Sequence, residues 1–134
     1  MKKLLVVDDD PEVRGATRFA FERDFVILEA GDEEEALRLF DEESPEVVFL
    51  DIIFFGLPKG WEILKKIRSR GKKTLVILVT ALHSAEKNPH RGEADGFFAK
   101  PFDLDQVKCF LAEKGMLPAE NGFSFKEKRE GEDP

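Results

Sequence analysis

Residues 46–55 read EVVFLDIIFF, a run in which one aspartate, Asp51, stands among side chains that, apart from Glu46, prefer to be buried. Burying a carboxylate is costly unless a cation or hydrogen-bond donors compensate its charge. One explanation is a helix N-cap that happens to follow a buried strand. The choice between a cap and a functional carboxylate depends on which other residues the fold brings close to Asp51.

Five short apolar runs have the length of β-strands and alternate with longer amphipathic stretches. Four of the five lack polar alternation, which is typical of strands covered on both faces in a parallel sheet. Repeated strand–helix units with right-handed crossovers predict a doubly wound α/β fold, with five parallel strands in the order 2-1-3-4-5. The predicted strands lie at residues 4–7, 25–28, 47–50, 75–79 and 97–99.

Two segments do not follow this alternation. Residues 83–92 occupy the place of the fourth helix, but they are short, polar and interrupted by Pro89, so we expect an irregular segment there. Residues 115–134 show no convincing period. We therefore expect one domain over residues 1–114 and a tail over 115–134 that is poorly structured or packs on the domain. Nothing after residue 114 is long enough for an output domain, so the chain is either a stand-alone domain or a fragment; its Met1 start and polar tail favour a stand-alone domain.

Composition and charge exclude several classes of function. The 134 residues carry 21 Lys and Arg against 28 Asp and Glu, a net charge of −7, which argues against binding to nucleic acid. A single cysteine, Cys109, excludes an internal disulfide and fits a reducing compartment. No apolar run approaches the ~20 residues that span a membrane. We expect a cytoplasmic protein with no membrane partner.

Polar residues directly follow four of the predicted strands. Asp8 and Asp9 follow the first, Asp51 the third, Thr80 the fourth and Lys100 the fifth. Because the carboxyl ends of parallel strands meet at one edge of a sheet, these side chains should converge. Three carboxylates repel one another, so either one is protonated or a cation joins them. Mg²⁺ suits such oxygen ligands, and a carboxylate can act as a nucleophile toward phosphorus.

Four motifs resemble the receiver domain of two-component response regulators. They are LLVVDDDPEVR (4–14), VVFLDI (47–52), VILVTA (76–81) and ADGFFAKPF (94–102), and the resemblance covers about residues 2–114. It implies a flavodoxin-like receiver fold. It also implies that the chain changes its protein partners when it is phosphorylated, and that it acts on no substrate other than itself.

The resemblance assigns the acidic residues to phosphoryl transfer. Asp51 would accept a phosphoryl group from a sensor histidine kinase or a phosphotransfer protein. Asp9 would bind Mg²⁺ directly and Asp8 largely through water. The backbone carbonyl of Ile53 would complete the protein ligands, so the side chain of that residue is free to vary.

It also assigns roles at the ends of the fourth and fifth strands. Lys100 would hold one phosphoryl oxygen and Thr80 would donate a hydrogen bond to another. Phe97 matches the aromatic residue that turns inward when the threonine moves, although a plain core phenylalanine explains it equally well. Lys100 and Pro101 would be joined by a cis peptide bond.

The loop after Asp51 departs from the family pattern. Residues 51–62 read DIIFFGLPKGWE, with Phe54 and Phe55 where the family usually has Met-Pro, and with Gly60 one residue later than usual. The metal ligands are retained, but the shape of this loop cannot be inferred from the sequence.

Two alternatives remain. A pseudo-receiver would bind partners without phosphorylation, which retention of all the site residues argues against. A phosphatase or phosphotransferase acting on an external substrate would usually carry a second acid two residues after the nucleophile, where this chain has Ile53.

Overall fold

The predicted strands form one parallel sheet in a structure that describes residues 1–71 and 73–118 and is a computed structural model. The strands are β1 (Lys3–Val7), β2 (Val26–Ala30), β3 (Val47–Leu50), β4 (Leu75–Thr80) and β5 (Gly96–Ala99). Their order is β2-β1-β3-β4-β5 and every neighbouring pair is parallel, so the predicted topology is confirmed. The chain divides into two compact units, Met1–Lys100 and Pro101–Pro134, and the whole sheet belongs to the first.

The core of the first unit is built from the apolar runs that predicted the strands. Every residue of β3 and β4 is buried, as expected for strands covered on both faces. Phe21 packs edge-on against Phe49, with ring centroids 5.2 Å apart. Each fully buried large side chain of this kind contributes about 1.5–3 kcal/mol to folding. Phe25, which the sequence assigned to the second strand, precedes β2 and is buried in this core.

Three α-helices connect the strands of the first unit. They are α1 (Pro11–Phe21), α2 (Glu33–Glu43) and α3 (Gly60–Ser69). Asp10 caps the start of α1 by accepting a hydrogen bond from the Glu12 amide at 2.9 Å. Asp32 caps the start of α2 by accepting a hydrogen bond from the Glu35 amide at 2.8 Å.

The segment between β4 and β5 is irregular, as predicted. Two short 3₁₀ helices, His83–Lys87 and Pro89–Glu93, replace an α-helix, and Asn88 lies between them. Pro89 cannot donate a helical hydrogen bond, and the Asn88 side chain accepts from the His90 amide at 2.8 Å, so a new helix begins here. Arg68 of α3 holds the end of the segment by donating to the Glu93 carbonyl oxygen at 2.6 Å.

The described part of the second unit contains one further helix, α4 (Leu104–Glu113). Asp103 caps it by accepting from the Asp105 amide at 2.9 Å and from the Gln106 amide at 3.4 Å. The expected tail at 115–134 lies outside the described residues from position 119 onward, and the boundary at 114 stays a prediction. Among the residues that the structure describes, no helix is long and apolar enough to cross a membrane.

Candidate functional site

Three carboxylates meet at the carboxyl edge of the sheet. Asp8 and Asp9 follow β1 and Asp51 follows β3, and the pairing of Val7 with Leu50 places these two strand ends side by side. One oxygen of each carboxylate lies within 4.8 Å of the other two. Asp8 and Asp51 are buried and Asp9 is half-buried. Caps at separate helix ends would not converge in this way, so the arrangement favours a functional cluster.

One ammonium group links two of these carboxylates. The Nζ atom of Lys100 lies 2.6 Å from Oδ2 of Asp8 and 2.8 Å from Oδ2 of Asp51. Burial raises the pKa of the Asp8 carboxyl, and the hydrogen bond from Lys100 opposes that rise without cancelling it. Burial also acts to lower the pKa of Lys100, but its hydrogen bonds to Asp51 and Asp8 outweigh burial and raise the pKa. The lysine therefore stays charged beside the cluster.

The other oxygens of the two buried carboxylates accept backbone hydrogen bonds. Oδ1 of Asp51 accepts from the Ile53 amide at 3.1 Å, and Oδ1 of Asp8 accepts from the Asp10 amide at 2.9 Å. Each carboxylate is thus held by Lys100 on one side and by an amide two residues later on the other. This double attachment fixes the carboxylate planes before any ligand binds.

A cavity of about 390 Å³ opens above the cluster. The acidic residues and Lys100 form its polar wall, while Ile53, Ala81 and Leu82 form its apolar wall. Thr80 is fully buried and is not among the lining residues; its Oγ1 accepts from the Leu82 amide at 3.2 Å. The cavity therefore offers charged groups on one side and no polar side chain on the other.

Phe97 lies on β5 and is half-buried against the hydrophobic core. The guanidinium carbon of Arg91 stands 5.6 Å from the centroid of its ring, within the range of a cation–π contact. This position is compatible with a switch residue and with an ordinary core residue, so the role of Phe97 stays a prediction.

The loop whose shape the sequence left open forms a tight turn. Phe54 and Leu57 exchange two backbone hydrogen bonds, of 2.8 and 2.9 Å, and the two residues between them both have positive φ, +51° for Phe55 and +81° for Gly56. The backbone amide of Phe55 donates to Oδ2 of Asp9 at 2.8 Å. The turn accommodates the extra residue that precedes Gly60, and the hydrogen bond from Phe55 to Asp9 attaches the turn to the acidic cluster.

The displaced glycine has a steric role at the start of α3. The Gly60 amide donates to the Ile52 carbonyl oxygen at 2.8 Å, and a Cβ atom at position 60 would lie 2.3 Å from the backbone oxygen of Asp51. Only glycine allows the helix to approach the end of β3 this closely.

Sequence reasoning missed one residue that supports the cluster. Nη1 of Arg14 donates to the backbone oxygen of Asp8 at 2.7 Å, and its Nε donates to Glu29 at 3.2 Å. The sequence does carry a signal, because Glu29 is a charged residue inside an otherwise apolar strand and therefore needs a partner. A single sequence does not reveal that its partners are Arg14 and Arg18, whose Nε atoms lie 3.2 and 2.6 Å from the Glu29 carboxylate.

The cluster fits a magnesium ion on chemical grounds. All its donors are hard oxygen atoms, and one ammonium faces three carboxylates, which leaves negative charge for a cation to compensate. Mg²⁺ prefers oxygen ligands and is commonly held by one or two carboxylates together with the phosphate of a substrate.

Comparison with known proteins identifies the family. The response regulator receiver domain profile matches residues 4–111. Sporulation initiation phosphotransferase F of Bacillus subtilis is 31% identical over 120 residues, which cover 87% of this chain and 94% of that protein. CiaR, a transcriptional regulatory protein of Streptococcus pneumoniae, is 33% identical over 113 residues, 81% of this chain. The chain belongs to the response-regulator receiver family, whose members are signalling modules.

Solved structures agree with this assignment. The crystal structure of response regulator TrrA from Thermotoga maritima, in complex with Mg²⁺ and BeF, superposes with a TM-score of 0.76 at 33% identity, over 87% of this chain and all of that one. TrrA in complex with the histidine kinase ThkA gives 0.75 at 32% identity, over 84% and 97% of the two chains. The chain spans about half the length of several curated relatives, including 49% of CiaR.

Proposed function

We propose that this chain accepts a phosphoryl group on Asp51 from the phosphohistidine of a sensor histidine kinase or a phosphotransfer protein, and that phosphorylation changes its protein partner. The observation that carries the proposal is the convergence of Asp8, Asp9 and Asp51 within 4.8 Å around the ammonium of Lys100. A buried carboxylate with a charged donor on one side and an open cavity above it is arranged for attack on phosphorus.

In the transfer step, an oxygen of Asp51 forms a bond to phosphorus while the bond from phosphorus to the donor imidazole nitrogen breaks. The imidazole keeps the electron pair of that bond. Asp9, Asp8, Asp51 and the carbonyl oxygen of Ile53 would hold Mg²⁺, which neutralises the negative charge that builds up on the phosphoryl oxygens. Lys100 would pass its hydrogen bond from Asp51 to one of those oxygens.

Thr80 would carry the signal away from the phosphoryl group. Its Oγ1 accepts from the Leu82 amide, so the hydroxyl proton can be donated to a phosphoryl oxygen. Moving the hydroxyl toward the cavity would open space into which Phe97 turns. A cis peptide bond between Lys100 and Pro101 belongs to the same proposal.

We propose a protein rather than nucleic acid as the downstream partner, because the net charge of −7 opposes binding to a phosphate backbone. No activity toward an external substrate is proposed, since the second acid of aspartyl phosphatases is replaced here by Ile53. The proposed location is the cytoplasm, where the kinases of such systems present their phosphohistidine.

Intact mass after incubation with acetyl phosphate and Mg²⁺ tests this function. The wild-type chain should gain the mass of one phosphoryl group, while Asp51→Ala should gain none and a chelator should abolish the gain. A phosphorylated species that persists in Asp51→Ala, or that forms equally well in chelator, would overturn the proposal.

A further inference from the structure

Phe55 has a backbone conformation that its side chain does not favour. Its φ of +51° and the +81° of Gly56 are the combination found in type I′ turns, where asparagine or aspartate followed by glycine is preferred. A left-handed conformation is strained for a residue with a Cβ atom, because that atom then lies too close to a backbone carbonyl oxygen. The turn itself would therefore be more stable with another residue at position 55.

The side chain of Phe55 does not recover this cost by burial. It is 75% exposed, and Leu57 beside it in the turn is 53% exposed, whereas Phe54 is only 2% exposed and belongs to the core. Neither the turn nor the core explains a phenylalanine at position 55. The exposed pair Phe55 and Leu57, here named the turn anchor, is therefore available to another molecule.

The turn anchor stands at the acidic cluster. The Phe55 amide donates to Asp9 at 2.8 Å, which ties the turn directly to a carboxylate of the candidate site. Any protein that delivers a phosphoryl group to Asp51 must bring its own surface over this part of the molecule. The cluster repels an anionic phosphodonor until a cation binds, so apolar contact beside the cluster would supply affinity that charge does not.

We infer that the turn anchor docks against an apolar patch on the protein that carries the phosphohistidine, next to the reacting group. This inference rests on the proposed function. It adds a residue, Phe55, whose side chain contacts the phosphodonor protein and takes no part in the transfer of the phosphoryl group. A small-molecule donor that fits the cavity has no surface for Phe55 to contact. Its transfer rate should therefore be independent of the Phe55 side chain.

The substitution Phe55→Asn separates docking from folding. Asparagine followed by Gly56 is the preferred sequence for this turn, so the variant should unfold at the same urea concentration as wild type or a higher one. Its backbone amide can still donate to Asp9. A lower midpoint for Phe55→Asn would show that the ring stabilises the fold, and it would overturn the inference whichever donor is used.

The functional arm compares two phosphodonors. Phosphorylation of wild type and Phe55→Asn is followed with acetyl phosphate and with autophosphorylated ThkA, whose partner TrrA is 33% identical to this chain. The rate of transfer from ThkA should fall about tenfold in Phe55→Asn, which is a moderate effect for the removal of one apolar interface side chain. The rate of phosphorylation by acetyl phosphate should stay within twofold of wild type. Val26→Thr is the matched control, because Val26 is 43% exposed and pairs with Lys3 at the opposite edge of the sheet.

The outcomes distinguish the inference from the function on which it rests. Equal transfer from ThkA to wild type and Phe55→Asn would overturn the docking role. Equal losses with both donors would also overturn it, since the ring would then act in the chemistry. If acetyl phosphate labels neither protein, the proposed function fails and the inference falls with it.

Discussion

Neutralising Asp8 should stabilise the domain when no divalent cation is present, although it removes a hydrogen bond to Lys100. At an effective dielectric constant of about 20, two carboxylate oxygens no more than 4.8 Å apart repel by at least about 3.5 kcal/mol, and Asp8 faces two other carboxylates. The attraction between Asp8 and the Lys100 ammonium 2.6 Å away offsets about 6 kcal/mol of this repulsion. Because the repulsive and attractive Coulomb energies nearly cancel, the cost of burying the Asp8 charge decides whether the substitution stabilises the domain. Asp8→Asn removes that cost and should raise the free energy of unfolding by about 1–2 kcal/mol at neutral pH.

The pH dependence follows from the raised pKa of Asp8. The folded state holds this proton more tightly than the unfolded state does, so the contribution to stability is fully present below the ordinary pKa of the carboxyl. That contribution is lost as the pH rises through the raised value. Wild type and Asp8→Asn should therefore be almost equally stable at about pH 3 and should diverge as the pH rises toward neutrality.

Urea unfolding in chelator, followed by the fluorescence of Trp61, measures this difference. Asp10→Asn is the matched control, because Asp10 is an exposed N-cap and asparagine caps equally well, so its stability should change by less than about 0.5 kcal/mol. If Asp8→Asn is less stable than wild type at neutral pH, the attraction of Lys100 outweighs burial and the reasoning is refuted.

The metal ligands, the glycine at the start of α3 and the apolar cavity wall give three more tests. Asp9→Ala should lose Mg²⁺ affinity more completely than Asp8→Ala, because Asp9 is the proposed direct ligand; equal losses by calorimetry would contradict this. Gly60→Ala should destabilise the domain by about 1–3 kcal/mol, since its Cβ would lie 2.3 Å from a backbone oxygen, and an unchanged urea midpoint would show otherwise. Ile53→Asn and Leu82→Glu should each speed loss of phosphate from the phosphorylated domain, because a polar side chain in the cavity wall can orient a water molecule. An unchanged lifetime of the phosphorylated domain in both variants would show that the apolar wall does not control hydrolysis.

The sheet and the convergence of the acidic residues could be predicted because both follow from local patterns. Unbroken apolar runs identify buried parallel strands, and a polar residue directly after such a run must lie at the carboxyl edge. The irregular segment after β4 could also be predicted, since Pro89 prevents a continuous helix whatever surrounds it.

The turn at residues 54–57 and the support from Arg14 could not be predicted for physical reasons. Phe55 adopts a left-handed conformation that its side chain disfavours, so local preference gives the wrong answer at that position. Arg14 reaches the backbone of Asp8 and the side chain of Glu29 only after α1 has packed beside β2. Contacts between elements depend on tertiary packing, which a single sequence does not encode in any local pattern.

The most direct test of phosphorylation at Asp51 is to locate the phosphoryl group chemically. The chain is phosphorylated with acetyl phosphate and Mg²⁺, the acyl phosphate is reduced with borohydride, and the modified peptide is sequenced by mass spectrometry. Reduction of an aspartyl phosphate leaves homoserine in place of the aspartate. We expect homoserine at position 51 and at no other position; modification at Asp8 or Asp9, or at no aspartate, would show that Asp51 is not the phosphoacceptor.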